Sequence, residues 1–250
     1  MKQIIKNNLK YFIFLAIFGL VGGYFTALYS IQSISQELLE EAILQVGSIE
    51  VVIIITTLQS FGYALILGII GKMIAKKIGL WRKMIFEKKG NIELIIVSFI
   101  GGAAFVLLDN CIFSNFSEAV KNMYAEKPTF EYIMASITYG GVIEEVMMRL
   151  FLMSLLALII QKAAKKEKIN DKILIISNVI VAILFTAGHL PATYTMMSPV
   201  TPMMIFRCFL LNGGFGLMFG RFYRKYGIHY AMLGHAGVHI VSKLIWILFI

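Results

Sequence analysis

The stretch ILIISNVIVAILFTAGH, residues 173–189, decides the fold class. It carries no formally charged side chain, with Lys172 just before it and Pro191 just after. A soluble domain buries one stripe of a helix and keeps the opposite face charged, whereas this run is uncharged all round. Such a segment is solvated by lipid or by other helices. A bilayer core about 30 Å thick takes roughly 20 residues of helix and leaves no backbone group unsatisfied. Working outward, six further stretches read the same way: Tyr11 to Ile31, Val51 to Gly71, Ile92 to Leu108, Tyr132 to Ile160, Pro202 to Gly220 and Gly227 to Ile250. The uncharged region after Lys172 is divided at Pro191, Pro199 and Pro202, since proline disfavours a continuous helix. A further short or interfacial helix fits between Ser33 and Gln45.

Composition agrees. The 250 residues are 59% hydrophobic and 15% charged, with a mean hydropathy of +0.81. These values exclude a secreted disulfide scaffold, a disordered regulator and an ordinary cytosolic enzyme. The expected fold is an all-α polytopic helical membrane protein with about seven to eight transmembrane helices, forming one membrane domain over residues 1–250. Cys111 and Cys208 are far apart and form no metal-ligand spacing, so neither a disulfide nor a cysteine metal site is expected.

The net charge of +9 does not point to nucleic acid, because the basic residues sit in short clusters between apolar runs. Lys2, Lys6 and Lys10 precede the first run, and Lys72 to Lys89 hold seven basic residues in the second loop on that side. Lys162 to Lys172 and Arg221 to Lys225 follow on the same side. Glu37, Glu40, Glu41 and Glu50, and the mixed loop from Asp109 to Glu131, lie opposite. The alternation predicts a multi-pass protein of the cell membrane with a cytoplasmic amino terminus, and membrane lipids as partners. The first run is read as an uncleaved anchor, since it extends past the core of a signal peptide.

Ionisable groups inside a membrane helix are costly, so their positions point to function. The fourth run contains ITYGGVIEEVMMRLFLMS at 137–154. Glu145 and Arg149 are four apart and share a helical face in the favourable order for an ion pair. Glu144 lies about 100° around the helix and has no partner on it. Glu145 is therefore expected to stay ionised against Arg149, and Glu144 to serve as an acid or base. The alternative is a neutralised cluster that only locks helices together. LFTAGHLP at 184–191 places Phe185 and His189 one turn apart, and MLGHAGVHIVSK at 232–243 places His235 and His239 on one face. The histidine pair reads as a polar seam, half of a metal site, or two donors facing a reaction centre. Arg207 and Asn212 are open to pairing with Glu144, a carbonyl or lipid headgroups, while Lys243 is expected to snorkel from the end of the last helix. The glycine pairs beginning at Gly22, Gly101, Gly140 and Gly213 are read as close-packing positions.

Taken together, EExxxR at Glu144, Glu145 and Arg149, FxxxH at Phe185 and His189, and the histidine at His235 resemble the CPBP family of CAAX proteases and bacteriocin-processing enzymes, also called Abi or Rce1-like. The motif-bearing core is residues 132–250. The resemblance implies an intramembrane endopeptidase acting on a membrane-associated or lipidated peptide or protein. Glu144 and His189 would activate water, His235 and His239 would stabilise the oxyanion, and Glu145 and Arg149 would support the site. One position departs from the pattern: the family usually has asparagine where this chain has His239. A glutamate-based mechanism without a cofactor is favoured, since no HExxH zinc signature is present; zinc held by Glu144, His189 and His235 is the alternative. Two other functions compete, a non-catalytic bacteriocin-immunity or scaffold protein and a proton-coupled transporter. Counting from the basic loops, Glu144 and His189 lie about 12 Å deeper than His235, which is at odds with a shared site.

Overall fold

The computed structural model describes residues 2–197 and 199–250. α1 (Lys2–Ser33) is a long apolar rod, and a short α2 (Gln36–Val46) follows it. Ser35 starts α2 by accepting the Leu38 N–H, which accounts for the extra helix expected in this region. α3 spans Ile49–Lys77 and α4 spans Lys88–Cys111. A short α5 (Glu118–Met123) lies in the loop that follows. α6 covers residues 130–163, entered at Thr129, whose hydroxyl accepts the Tyr132 N–H. α7 (Asp171–Met196), α8 (Pro202–Tyr226) and α9 (Ile228–Phe249) complete the chain. Among the described residues no strand is present, and six helices are long and apolar enough to cross a membrane. These are α1, α3, α4, α7, α8 and α9. α6 is a seventh rod of spanning length, wound as π-helix over Ser136–Glu144 and Val146–Met153. The chain is thus an all-α, multi-pass membrane protein whose seven long helices coincide with the seven apolar runs.

Many large apolar side chains face outward, among them Ile95, Phe99, Ile100, Ile175 and Ile183. In water they would be an aggregation surface; in a bilayer they are the solvated face. α6 is the central element, packed against α1, α3, α7, α8 and α9. α9 is held from two sides by glycine. A Cβ on Gly102 of α4 would lie 2.6 Å from the Val241 Cβ, and one on Gly141 of α6 would lie 2.8 Å from the Ala236 Cβ. Larger residues there would push the helices apart, so the packing reading of the glycine pairs holds at these two.

At one end of the bundle, Lys225 and Arg221 of α8 pair with Glu93 of α4, and Arg224 pairs with Asp171 of α7. These contacts bring the carboxyl end of α8 level with the amino ends of α4 and α7, in line with the charge alternation of the loops.

Two expectations are corrected. α7 does not stop at His189 but runs through Pro191 to Met196. Proline removes the one donor that would meet the Ala187 carbonyl, and the helix continues past it. The Thr193 and Thr195 hydroxyls donate to the His189 and Pro191 carbonyls, at 3.0 and 2.9 Å, within the turns around the proline. Asp109, assigned above to a loop, is a fully buried residue of α4.

Candidate active site

The site forms where α6, α7 and α9 meet. Glu144 closes the first π-wound segment of α6 and Glu145 follows it directly, so the two carboxylates face different neighbours. Glu145 is completely buried and pairs with Arg149, Oε1 to Nη1, at 2.9 Å. Arg149 is equally buried, donates from Nη2 to the Gly216 carbonyl at 3.1 Å, and lies over the Phe185 ring at 4.7 Å. The charge expected to stabilise Glu145 is therefore in place.

Glu144 turns into a cavity of about 380 Å³, and its side chain keeps 19% exposure. Its Oε1 lies 3.8 Å from His189 Nε2 and its Oε2 lies 4.0 Å from His235 Nε2. Three helices thus deliver one carboxylate and two imidazoles to one point. The depth mismatch counted from the loops does not occur, and part of the reason is local. The His189 ring folds back one turn, with Nδ1 2.8 Å from the Phe185 carbonyl oxygen.

That hydrogen bond has a chemical consequence. A carbonyl oxygen only accepts, so Nδ1 of His189 carries the proton and neutral His189 presents a bare Nε2 to Glu144. Two acceptors at 3.8 Å do not bond each other, but a water can donate to both. His235 is fixed differently. Its Nδ1 lies 2.8 Å from Glu145 Oε1, and its ring stacks on Phe219 with centroids 4.5 Å apart. Sequence spacing placed Glu145 against Arg149 but gave no sign of this second bond, which runs between helices ninety residues apart. His239 stacks on His235 at 5.0 Å and also lines the cavity. Aromatic walls from Phe105, Tyr132, Tyr139 and Phe215 complete the chamber.

The remaining polar candidates resolve as follows. Arg207 pairs with neither Glu144 nor a carbonyl among the described residues; it grips Asp109 through Nε and Nη2, both at 2.6 Å, and Tyr124 donates to the same carboxylate at 2.9 Å. An intramembrane arginine requires an anion, and that need is the signal that could have drawn Asp109 into α4. Asn212 donates to the Cys208 sulfur. Lys243 does not snorkel: it is buried, with its Nζ 4.1 Å from the Tyr132 ring centre. Cys111 and Cys208 are free.

Glu144, His189 and His235 have the right atom types for zinc. Ligand atoms 2.0–2.1 Å from a tetrahedral zinc stand about 3.3 Å apart, closer than the observed 3.8 and 4.0 Å. Among the described residues, no group of three or more His, Cys, Asp or Glu is arranged as a metal centre.

The fold and the chamber together define a polytopic helical membrane protein with a buried Glu and His cluster. Residues 127–241, which contain every member of that cluster, match the family model described as type II CAAX prenyl endopeptidase Rce1-like. This is the family whose motifs the chain resembles. No curated protein and no solved structure matches the chain.

Proposed function

We propose that this protein is an intramembrane endopeptidase that hydrolyses a peptide bond in a membrane-associated or lipidated peptide or protein. The observation that carries the proposal is the gap between Glu144 Oε1 and His189 Nε2, bounded by two acceptors inside a chamber. A water held there donates to both, and Glu144 takes its proton as the oxygen attacks the scissile carbonyl. The tetrahedral intermediate places its oxyanion toward His239. Because Nδ1–H of His235 is committed to the Glu145 carboxylate, neutral His235 offers no N–H at Nε2; it fixes the chamber wall beside His239, whose ring supplies the donor. Collapse breaks the C–N bond, and Glu144 returns its proton to the leaving amine. Arg149 and Glu145 position this machinery rather than react.

The family match supports protease chemistry, and the aromatic chamber suits an apolar peptide segment. We place the protein in the cell membrane with its amino terminus cytoplasmic, on the charge pattern of its loops. Cofactor-free chemistry is the favoured form, with zinc on Glu144, His189 and His235 as the competing one. Elemental analysis of active protein before and after chelation separates them: retained activity in zinc-free protein supports the first, and loss restored by zinc overturns it.

The functional test uses purified protein in liposomes with a membrane-anchored reporter peptide, prenylated and unprenylated. Cleavage is expected, and His189→Ala should lower turnover by about 10²-fold or more. Undiminished cleavage by that variant would remove the role given to His189.

A further inference from the structure

The chain has a histidine, His239, where the resembled family has asparagine. An asparagine amide always offers an N–H. An imidazole offers one at a given nitrogen only in the right tautomer. The structure contains a device that sets it.

His239 Nε2 faces the reaction chamber. A Cβ built on Gly140 would lie 3.3 Å from His239 Nε2 and 3.7 Å from His235 Nε2, so both nitrogens converge on the notch that Gly140 leaves. Gly140 and Glu144 line the same cavity. The other ring nitrogen, Nδ1, lies 3.4 Å from the Nζ of Lys243, one turn further along α9. Lys243 is only 4% exposed, and among the described residues no carboxylate lies within 4 Å of its Nζ. Its remaining contact is the face of Tyr132, at 4.1 Å. Over the Tyr132 face Lys243 sits in cation–π geometry, and as an ammonium it has three donors and no acceptor, so it meets Nδ1 favourably only when that nitrogen holds a lone pair. The proton of neutral His239 then resides on Nε2, pointing at the chamber.

We propose that Lys243, as an ammonium held over Tyr132, is a positioning residue that keeps His239 in the Nε2–H tautomer, so that the imidazole supplies the donor an asparagine amide would supply. The proposal rests on the endopeptidase reading for its catalytic consequence, while the tautomer itself does not depend on that reading.

Two measurements test it, both on the full-length protein in detergent micelles or liposomes. The first is the ¹⁵N spectrum of histidine-labelled protein, with the His239 signals assigned by their loss in His239→Asn. The expected spectrum shows Nδ1 unprotonated and Nε2 protonated, with the Nε2–H share falling in Lys243→Met. A protonated Nδ1 in the parent overturns the proposal whether or not any peptide is cut. The second is a kinetic cycle. Lys243→Met should lower kcat about fivefold with KM nearly unchanged, the effect of losing one modest hydrogen-bond bias. In a His239→Asn background, where the amide donates without help, the same change should leave kcat within about twofold. Lys243→Arg, another donor-only cation, should restore the parent rate. An equal loss in both backgrounds assigns Lys243 to packing alone and overturns the proposal. The predicted spectrum in a protein that cleaves nothing leaves the tautomer standing and counts against the endopeptidase reading instead.

Discussion

Replacing Arg149 with methionine should destabilise the protein more than removing Arg149 and Glu145 together. Both side chains are fully buried, and their 2.9 Å contact is the neutralising bond of the pair. Arg149→Met alone leaves the Glu145 carboxylate facing only His235, an uncompensated buried charge that costs about 3–5 kcal/mol. The Gly216 carbonyl also loses its bond to Nη2, for about 1 kcal/mol more. In the double variant Glu145→Leu/Arg149→Met no charge remains. The main deficit is then the His235 Nδ1 donor, which loses its partner for about 1–3 kcal/mol. The double variant should therefore be the more stable by about 2 kcal/mol. It should still be inactive, because His235 no longer has an anchor. Reversible unfolding in mixed micelles, followed by circular dichroism, reads the stabilities, and peptide cleavage reads the activity. A double variant no more stable than Arg149→Met refutes the charge-burial reasoning, and an active double variant refutes the role given to the Glu145 and His235 bond.

Two other expectations concern the scaffold. Gly71→Ala places a Cβ 2.8 Å from the Leu150 carbonyl oxygen and 2.9 Å from the Phe151 Cα, backbone that cannot rotate away. A loss of about 1–3 kcal/mol is expected in the same unfolding assay. Asp109→Asn removes the anion held by Arg207 at two 2.6 Å contacts and by Tyr124. It should cost about 3 kcal/mol or more, whereas a wild-type melting curve would show that Arg207 finds another partner.

The helices were legible in the sequence because lipid imposes one rule, predominantly apolar runs of spanning length, and all seven runs obey it even where they carry an ionisable group. The short helix α2 was legible as a region but not in extent, since its only local marks are a serine cap and a narrow apolar pattern. Pro191 misled because a proline costs a helix one backbone donor without obliging it to end, and nothing local in the sequence marks which outcome the bundle imposes. Within the site, the Glu145 and Arg149 pair could be read from i,i+4 spacing. Contacts between helices could not: the Glu145 to His235 and Arg207 to Asp109 bonds, and the approach of Glu144 to two imidazoles, are fixed by packing, not by spacing. Lys243 was misread for a related reason. Proximity to a helix end suggests snorkelling, but α9 buries that residue against Tyr132 and His239.

The most direct test is the cleavage rate of Glu144→Gln, which keeps the shape of the side chain beside His189 and His235 while removing its ability to accept a proton from water. In liposomes with a membrane-anchored peptide, the rate should fall about 10²-fold or more with the unfolding midpoint unchanged. Cleavage within about twofold of the parent rate would mean that the carboxylate at the meeting point of the three helices does not activate water.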